Sequence, residues 1–189
     1  MNDDRMLESV SQFEGLEVVV TEKMDGEGTT FYRDDLHARS LSFEPHPSRE
    51  HIKAIWAQVG YQIPEGYRVC GENLTAKHSI FYTNLPGYFL VFNIWNEKNI
   101  CLSWDDTVLY SELLGLPTVK VLHRGLWDET LIRGIELDSE HQEGYVVRSA
   151  AAFHYKEFRR LVGKFVRRSH VQTDEHWMRQ EVKFNEVRK

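Results

Sequence analysis

The sequence predicts an α+β fold built from antiparallel sheets with flanking helices. Two observations carry this. Strand-like runs of β-branched and aromatic residues outnumber the stretches with an apolar stripe at helical spacing. Short turn signals join neighbouring runs as hairpins, which implies antiparallel pairing. At 189 residues the chain is long enough for one substantial core. No repeat, low-complexity tract or interdomain linker divides it, so a single domain over 1–189 is expected.

The elements follow in order. Residues 1–16 read as a short helix or arm, with Met6, Leu7, Val10 and Phe13 at helical spacing. Strand 17–23 contains Val18-Val19-Val20, a β-branched run suited to burial on both faces. It ends at Lys23, and Asp25-Gly26 supplies a turn in which glycine is free to take a positive φ. Residues 29–33, the Asp34-Asp35 turn and residues 36–40 form a hairpin. Pro45 and Pro47 break the chain, and Ser48 caps a helix over 49–59 whose Ile52, Ile55, Trp56 and Val59 share one face.

A strand over 67–74 runs out to Glu72, and after the loop 75–86 comes the most apolar strand, 87–95. The Asn96 to Asn99 turn leads into 100–102. Ser103 caps a second helix that ends near Gly115, ahead of Pro117. A short strand is expected at 119–122 and a short helix at 128–135. Strand 143–148 opens with Glu143-Gly144, and the last strand, 161–167, carries Lys164 mid-run. The tail, 171–189, is polar and expected to be helical.

Composition narrows the function. No stretch reaches the roughly 18 apolar residues needed to cross a bilayer, and the first residues carry no charged-then-apolar signal. Cys70 and Cys101 are too few for a disulfide scaffold or an all-cysteine zinc site, so a reducing cytoplasm is the expected location. The net charge of −6 hides a locally basic stretch over 154–170, containing Lys156, Arg159, Arg160, Lys164, Arg167 and Arg168 against one acid, Glu157. Such a stretch suits a phosphate-bearing ligand or a solvated charged face.

Five strands each deliver a polar group at an end or into an apolar run: Lys23 with Asp25, Arg39, Glu72, Glu143 and Lys164. Charges in such places are costly unless they pair or hold a ligand. Two lysines, an arginine and carboxylates would suit a nucleoside triphosphate with a divalent metal. A lysine partly stripped of water at a strand end also favours the neutral, nucleophilic amine.

The order of these sites resembles the covalent nucleotidyltransferase superfamily of polynucleotide ligases and capping enzymes. It is most similar to ATP-dependent RNA ligases of the branch that includes phage RNA ligase 2 and small bacterial homologues. Thr-Glu-Lys-Met-Asp-Gly (21–26) looks like motif I and Ala-Arg-Ser (38–40) like motif Ia. Cys-Gly-Glu-Asn-Leu (70–74) looks like motif III and Phe-Leu-Val-Phe-Asn-Ile-Trp (89–95) like motif IIIa. Glu-Gly-Tyr-Val-Val-Arg (143–148) looks like motif IV and Val-Gly-Lys-Phe-Val-Arg (162–167) like motif V. The segments 77–82 and 171–178 also resemble the bacterial group. Six motifs in order, covering nearly the whole chain, carry the resemblance.

The resemblance implies an adenylation domain with an ATP cleft between its sheets. Lys23 would attack the ATP α-phosphate, AMP would pass to an RNA 5′-phosphate, and a 3′-hydroxyl would then seal the strand. Lys164 would contact the α-phosphate or pair with an acid. Glu143 would bind Mg2+ or Mn2+ or its waters, and Asp25 would do the same or brace the lysine loop. Glu72 would meet the ribose, Phe92 would stack on adenine or serve as plain core, and Glu22 would frame adenine through its backbone. Arg39 would reach the ribose or the RNA 5′-phosphate, with Arg159, Arg160, Arg167 and Arg168 as RNA contacts. His78 would touch phosphate or serve a structural role.

Three departures accompany it. Motif V usually shows Lys-x-Lys, whereas only Lys164 stands here, leaving Arg167 or Lys156 to take the second role. Gly28 stands where close relatives tend to have asparagine. Only 22 residues precede Lys23, and no oligonucleotide-binding domain of usual size follows motif V, so RNA engagement is expected to use the basic segment, the tail or a protein partner. A DNA ligase or capping-type enzyme, and a nucleotide- or RNA-end-binding module without complete activity, are the alternatives.

Overall fold

The computed structural model describes residues 9–39, 47–138, 140–167 and 182–188. Two antiparallel sheets face each other. The first holds β1 (Glu17–Lys23), β7 (Val121–Leu126), β8 (Gly144–Ser149) and β10 (Val162–Val166), in the order β10-β8-β1-β7. The second holds β2 (Glu27–Phe31), β3 (Leu36–Ala38), β4 (Arg68–Asn73), β5 (Phe89–Trp95), β6 (Ile100–Cys101) and β9 (Phe153–His154), in the order β3-β2-β4-β5-β6-β9. Helices α1 (Pro47–Val59), α2 (Trp104–Leu113), α3 (Glu129–Arg133) and α4 (Phe158–Leu161) flank them.

The three valines of β1 divide between layers, as strand alternation requires. Val19 joins Met24, Leu74, Ile80, Tyr82, Leu90 and Trp104 in the core between the sheets. Val18 and Val20 turn outward onto Phe13, Ile132, Tyr145 and Val147. On the far side of the second sheet, Phe31, Val69, Phe89 and Val91 pack against Ile52 and Val59 of α1. Strands β1 and β5 are therefore buried on both faces, and their continuous apolar runs follow from that.

Several expectations are corrected. The second helix begins as read, with Ser103 accepting the Asp106 N–H. The first starts earlier, at Pro47, and Ser48 lies buried inside its first turn instead of capping it. Proline suits that start because its φ is already helical and no N–H is required there. The strand expected at 119–122 begins at Val121. Before it, residues 117–119 run along β5, with Val91 N–H donating to Pro117 O (2.9 Å) and Val119 N–H donating to Val91 O (3.0 Å). The chain there crosses from one sheet to the other, which a reading of local pattern places one step early.

Gly26 lacks a positive φ among the described residues. A Cβ there would lie 2.5 Å from Asn73 O and 2.9 Å from Leu74 Cδ2, so close approach is what demands glycine. The described part of the tail, 182–188, contains no helix and lies extended against the 74–88 loop through bridges Ala76–Phe184 and Leu85–Val187. Met6, Leu7, Ser40, Pro45, Arg168 and the 171–178 segment lie outside the described residues. No helix among the described residues is long and apolar enough to cross a membrane.

Candidate active site

Lys23 closes β1 at the edge of the inter-sheet core, and its neighbours come from four directions. Its Nζ donates to Glu143 Oε2 at 2.5 Å, and the Glu143 residue is only 5% exposed. The next residue, Gly144, pairs with Lys23 across the ladder, so β8 delivers the carboxylate. A Cβ at Gly144 would collide with the Phe165 carbonyl, so this position must be bare for β10 to lie alongside.

From the second sheet comes Glu72, whose Oε1 accepts the Gly26 N–H at 3.2 Å. Burial pushes its carboxyl up to about 8; Lys23 opposes that shift, and Glu143 and Asp25 add to it. Asp25 serves as a brace. Its Oδ2 accepts the N–H groups of Ser79 (2.7 Å) and Ile80 (2.8 Å), while its own N–H donates to Tyr82 Oη (3.0 Å). His78 lies half-buried in the same loop.

Register places the remaining residues. Thr21, Val146 and Lys164 form one row across the first sheet, and Lys23, Gly144 and Val166 form the next. Lys164 therefore faces the same side as Lys23, exposed, two strands away. Arg167 follows Val166, with its N–H donating to Glu143 O (3.0 Å) and its Nε to Gln142 O (2.6 Å). Of the two stand-ins expected for the second motif V lysine, Arg167 is at the Lys23 end of the sheet and Lys156 is not. Arg159 and Arg160 lie on α4, which leads into Val162. Val162 pairs through Arg148 with Val19, four residues before Lys23. That spacing is about 13 Å along the strand, so neither arginine is brought to Lys23.

Arg39, Gly28, Glu72 and Leu90 share a row of the second sheet, and Arg39 N–H donates to Gly28 O (2.7 Å). A Cβ on Gly28 would stand 3.8 Å from Arg39 Cβ, so the arginine stem lies over the bare position. Gly28 thus sits within a paired strand. Glu22 is on the opposite face of β1 from Lys23; its N–H donates to Lys120 O (2.8 Å), and burial raises its carboxyl.

Phe92 occupies a β-bulge. Gly71 pairs with Val91 and Cys70 with Asn93, leaving Phe92 the extra residue. Bulges re-aim side chains. Here Phe92 is half-buried against the inter-sheet core, and the neighbouring Asn93 also turns toward the first sheet, where its Oδ1 accepts Arg148 Nη1. Arg148 is 2% exposed and donates to the neutral oxygens of Asn93, Leu102 and Ser149.

Sequence reasoning passed over Arg148, Asn93 and Tyr82, although each lies inside a quoted motif segment. It also passed over Asn185, for which the sequence holds no signal at all. The contacts that single them out are all long-range.

Among the described residues, no three His, Cys, Asp or Glu side chains gather as a metal cluster. Glu143 is the carboxylate beside Lys23, while Asp25 Oδ2 is occupied by two amides. Such a set fits a hard divalent cation held by one or two carboxylates, with phosphate and water oxygens completing its shell.

Residues 16–166 match the RNA ligase family model. The chain belongs to the RNA ligase family. Solved structures of the same fold include Naegleria gruberi RNA ligase variants. One with ATP and manganese is 14% identical, with a TM-score of 0.57 over 85% of this chain and 52% of that one. Another, without ligand, is 16% identical at a TM-score of 0.56, covering 83% and 51%. A putative ATP-dependent DNA ligase from Aquifex aeolicus is 20% identical at 0.53, covering 83% and 45%. At these identities the likeness is one of fold. This RNA ligase family chain spans about half the length of those proteins. No curated protein matches it.

Proposed function

We propose that this chain is a single nucleotidyltransferase domain of an ATP-dependent RNA ligase, joining 3′-hydroxyl and 5′-phosphate RNA ends through a lysyl-AMP on Lys23. The observation that carries the reading is Lys23 itself. It stands at the end of a buried strand against a buried carboxylate, inside the family-matched region. The related Naegleria protein has been determined with ATP and manganese, which supports the same nucleotide and either Mg2+ or Mn2+ here.

In the first step the neutral Lys23 Nζ attacks the α-phosphorus. An N–P bond forms, the P–O bond to pyrophosphate breaks, and the adduct nitrogen gives up one proton to water. Glu143 Oε2 already accepts a hydrogen bond from Nζ and is the group best placed to hold a metal. A bound cation supplies neutralisation of triphosphate charge. Lys164 and Arg167 face the same end of the cleft and would stabilise charge on the phosphates. Glu72, with its raised carboxyl, would keep a proton to donate to a ribose oxygen, and Phe92 would stack on the base. AMP then moves to the RNA 5′-phosphate and leaves as the 3′-hydroxyl attacks. Arg39 would bind the 5′-phosphate. Arg159 and Arg160 would extend an RNA path away from Lys23, Arg168 would be a further RNA contact, and a protein partner would add surface. A reducing cytoplasm suits the free thiols Cys70 and Cys101.

The test is incubation with α-labelled ATP and a divalent metal, followed by denaturing electrophoresis and mass spectrometry. One AMP should be retained on wild-type protein and absent from Lys23→Ala. A folded wild-type protein that forms no adduct would rule the reading out.

A further inference from the structure

We infer that Asn185, in the C-terminal 182–188 strap, is a positioning residue that holds the Lys23 loop through the 74–88 loop. The inference rests on the proposed role of Lys23, but its geometry stands independently.

The 74–88 segment joins β4 to β5 with no strand or helix of its own. A loop that long inside a compact domain needs outside partners for its backbone groups. The strap supplies them. Asn185 is 2% exposed, and it engages the loop through backbone and side chain alike. Its N–H donates to Thr75 O (3.0 Å) and its Nδ2 to Leu74 O (2.8 Å). Its Oδ1 accepts the Tyr82 N–H (2.9 Å), and its carbonyl accepts Tyr88 Oη (3.1 Å). Around it, Lys77 N–H donates to Lys183 O, Glu186 N–H to Tyr82 O, and Leu85 N–H to Glu186 O. Lys183 Nζ sits 3.6 Å from the centre of the Phe81 ring.

The other side of the same loop faces Asp25. Ser79 and Ile80 give their N–H groups to Asp25 Oδ2, and Tyr82 Oη accepts the Asp25 N–H. Tyr82 is therefore held by Asn185 at its backbone and meets Asp25 at its hydroxyl. Asp25 lies two residues beyond Lys23. The route from strap to lysine is two hydrogen bonds long, Asn185 to Tyr82 and Tyr82 to Asp25, and two residues of backbone complete it.

A residue acting in this way should change the rate of lysine attack more than the binding of nucleotide, because it sets where Nζ points. Asn185→Ala removes the partners of Tyr82 N–H and Leu74 O. Asn185→Asp keeps the shape and the acceptor and removes the donor to Leu74, providing a milder variant should the alanine fail to fold. The full-length variants would be compared by amide hydrogen exchange and by the rate of AMP adduct formation. Exchange at Asp25, Ser79 and Ile80 should speed about 10-fold or more while the Val147 amide is unchanged. Adduct formation at saturating ATP should fall about 10- to 100-fold, with KM moving less than about twofold. The inference fails if those three amides stay at wild-type rates in the variants that fold, or if Val147 speeds equally, which would mean global loosening. An absent adduct in wild-type protein would count against the ligase reading and leave the exchange comparison decisive for the strap.

Discussion

Glu72 feels two like charges, Glu143 and Asp25, against one opposite charge, Lys23. Its carboxyl is pushed from 4.5 up to about 8, first by burial and then by Glu143 and Asp25. A carboxyl raised in the folded state binds more protons there than in the unfolded chain. Its contribution is favourable below the unfolded value of 4.5 and is lost as pH rises through about 8. Glu72→Gln cannot ionise, and its amide oxygen still accepts the Gly26 N–H. Thermal unfolding of both proteins between pH 5 and pH 9 should show the variant gaining on wild type steadily across that window. Parallel curves would mean that Glu72 titrates normally. A neutral Glu72 at pH 7 would serve the proposed ribose contact, because it can donate a hydrogen bond where a carboxylate only accepts.

Among the elements, β10 is the one whose placement depends most on a single missing atom. It is an edge strand paired only to β8; it brings Lys164 to the lysine's side of the sheet and leads into Arg167 at the Lys23 end. Gly144→Ala would set a Cβ against the Phe165 carbonyl and force the strands apart. Overpacking of that kind costs about 1–3 kcal/mol, and urea denaturation should register it. Adduct formation should fall as well, since both cations move with the strand; an unaffected rate would show that neither touches the nucleotide.

The legibility of the elements follows the same physics. The 17–23 strand, the hairpin at 29–38 and the two long helices were readable because their patterns are local and their turn residues specific. Strand β9 and helix α4 were hidden inside a basic stretch too short to show a period. The bulge at Phe92 was invisible because every neighbour in 89–92 is apolar, so a one-residue slip leaves the pattern intact.

At the scale of the molecule, the proposed nucleotide cleft depends on how the two sheets sit against each other, and Arg148 joins them. It stands on β8 of the first sheet. Its Nη1 donates to Asn93 Oδ1 on β5 of the second, and its Nη2 donates to Leu102 O at 2.6 Å. The guanidinium also lies 5.7 Å from the Trp104 ring centre and 5.5 Å from that of Phe153. Burial lowers its pKa, yet five fixed donors spread over carbonyl and amide oxygens still satisfy it. Nothing in the sequence marks this residue as different from any strand arginine, because its partners lie 46 and 55 residues away.

Replacing Arg148 with methionine keeps much of the volume but leaves Leu102 O without that donor and Asn93 Oδ1 with only the weak Cys101 Sγ contact (3.6 Å). The expected loss is about 3 kcal/mol or more, with a cooperative transition at lower denaturant. Because Asn93 adjoins the bulge that aims Phe92, the methionine variant should also bind ATP more weakly than its folded fraction explains. Asn93→Ala provides the control, since it withdraws one acceptor and leaves the arginine its other partners. If the tie between sheets is what matters, the double variant should be little worse than Arg148→Met alone, and a double-mutant cycle measures that coupling directly. Fully additive losses would mean that each residue supports its own sheet and that the cleft is held open by the apolar core around Val19, Leu90 and Trp104.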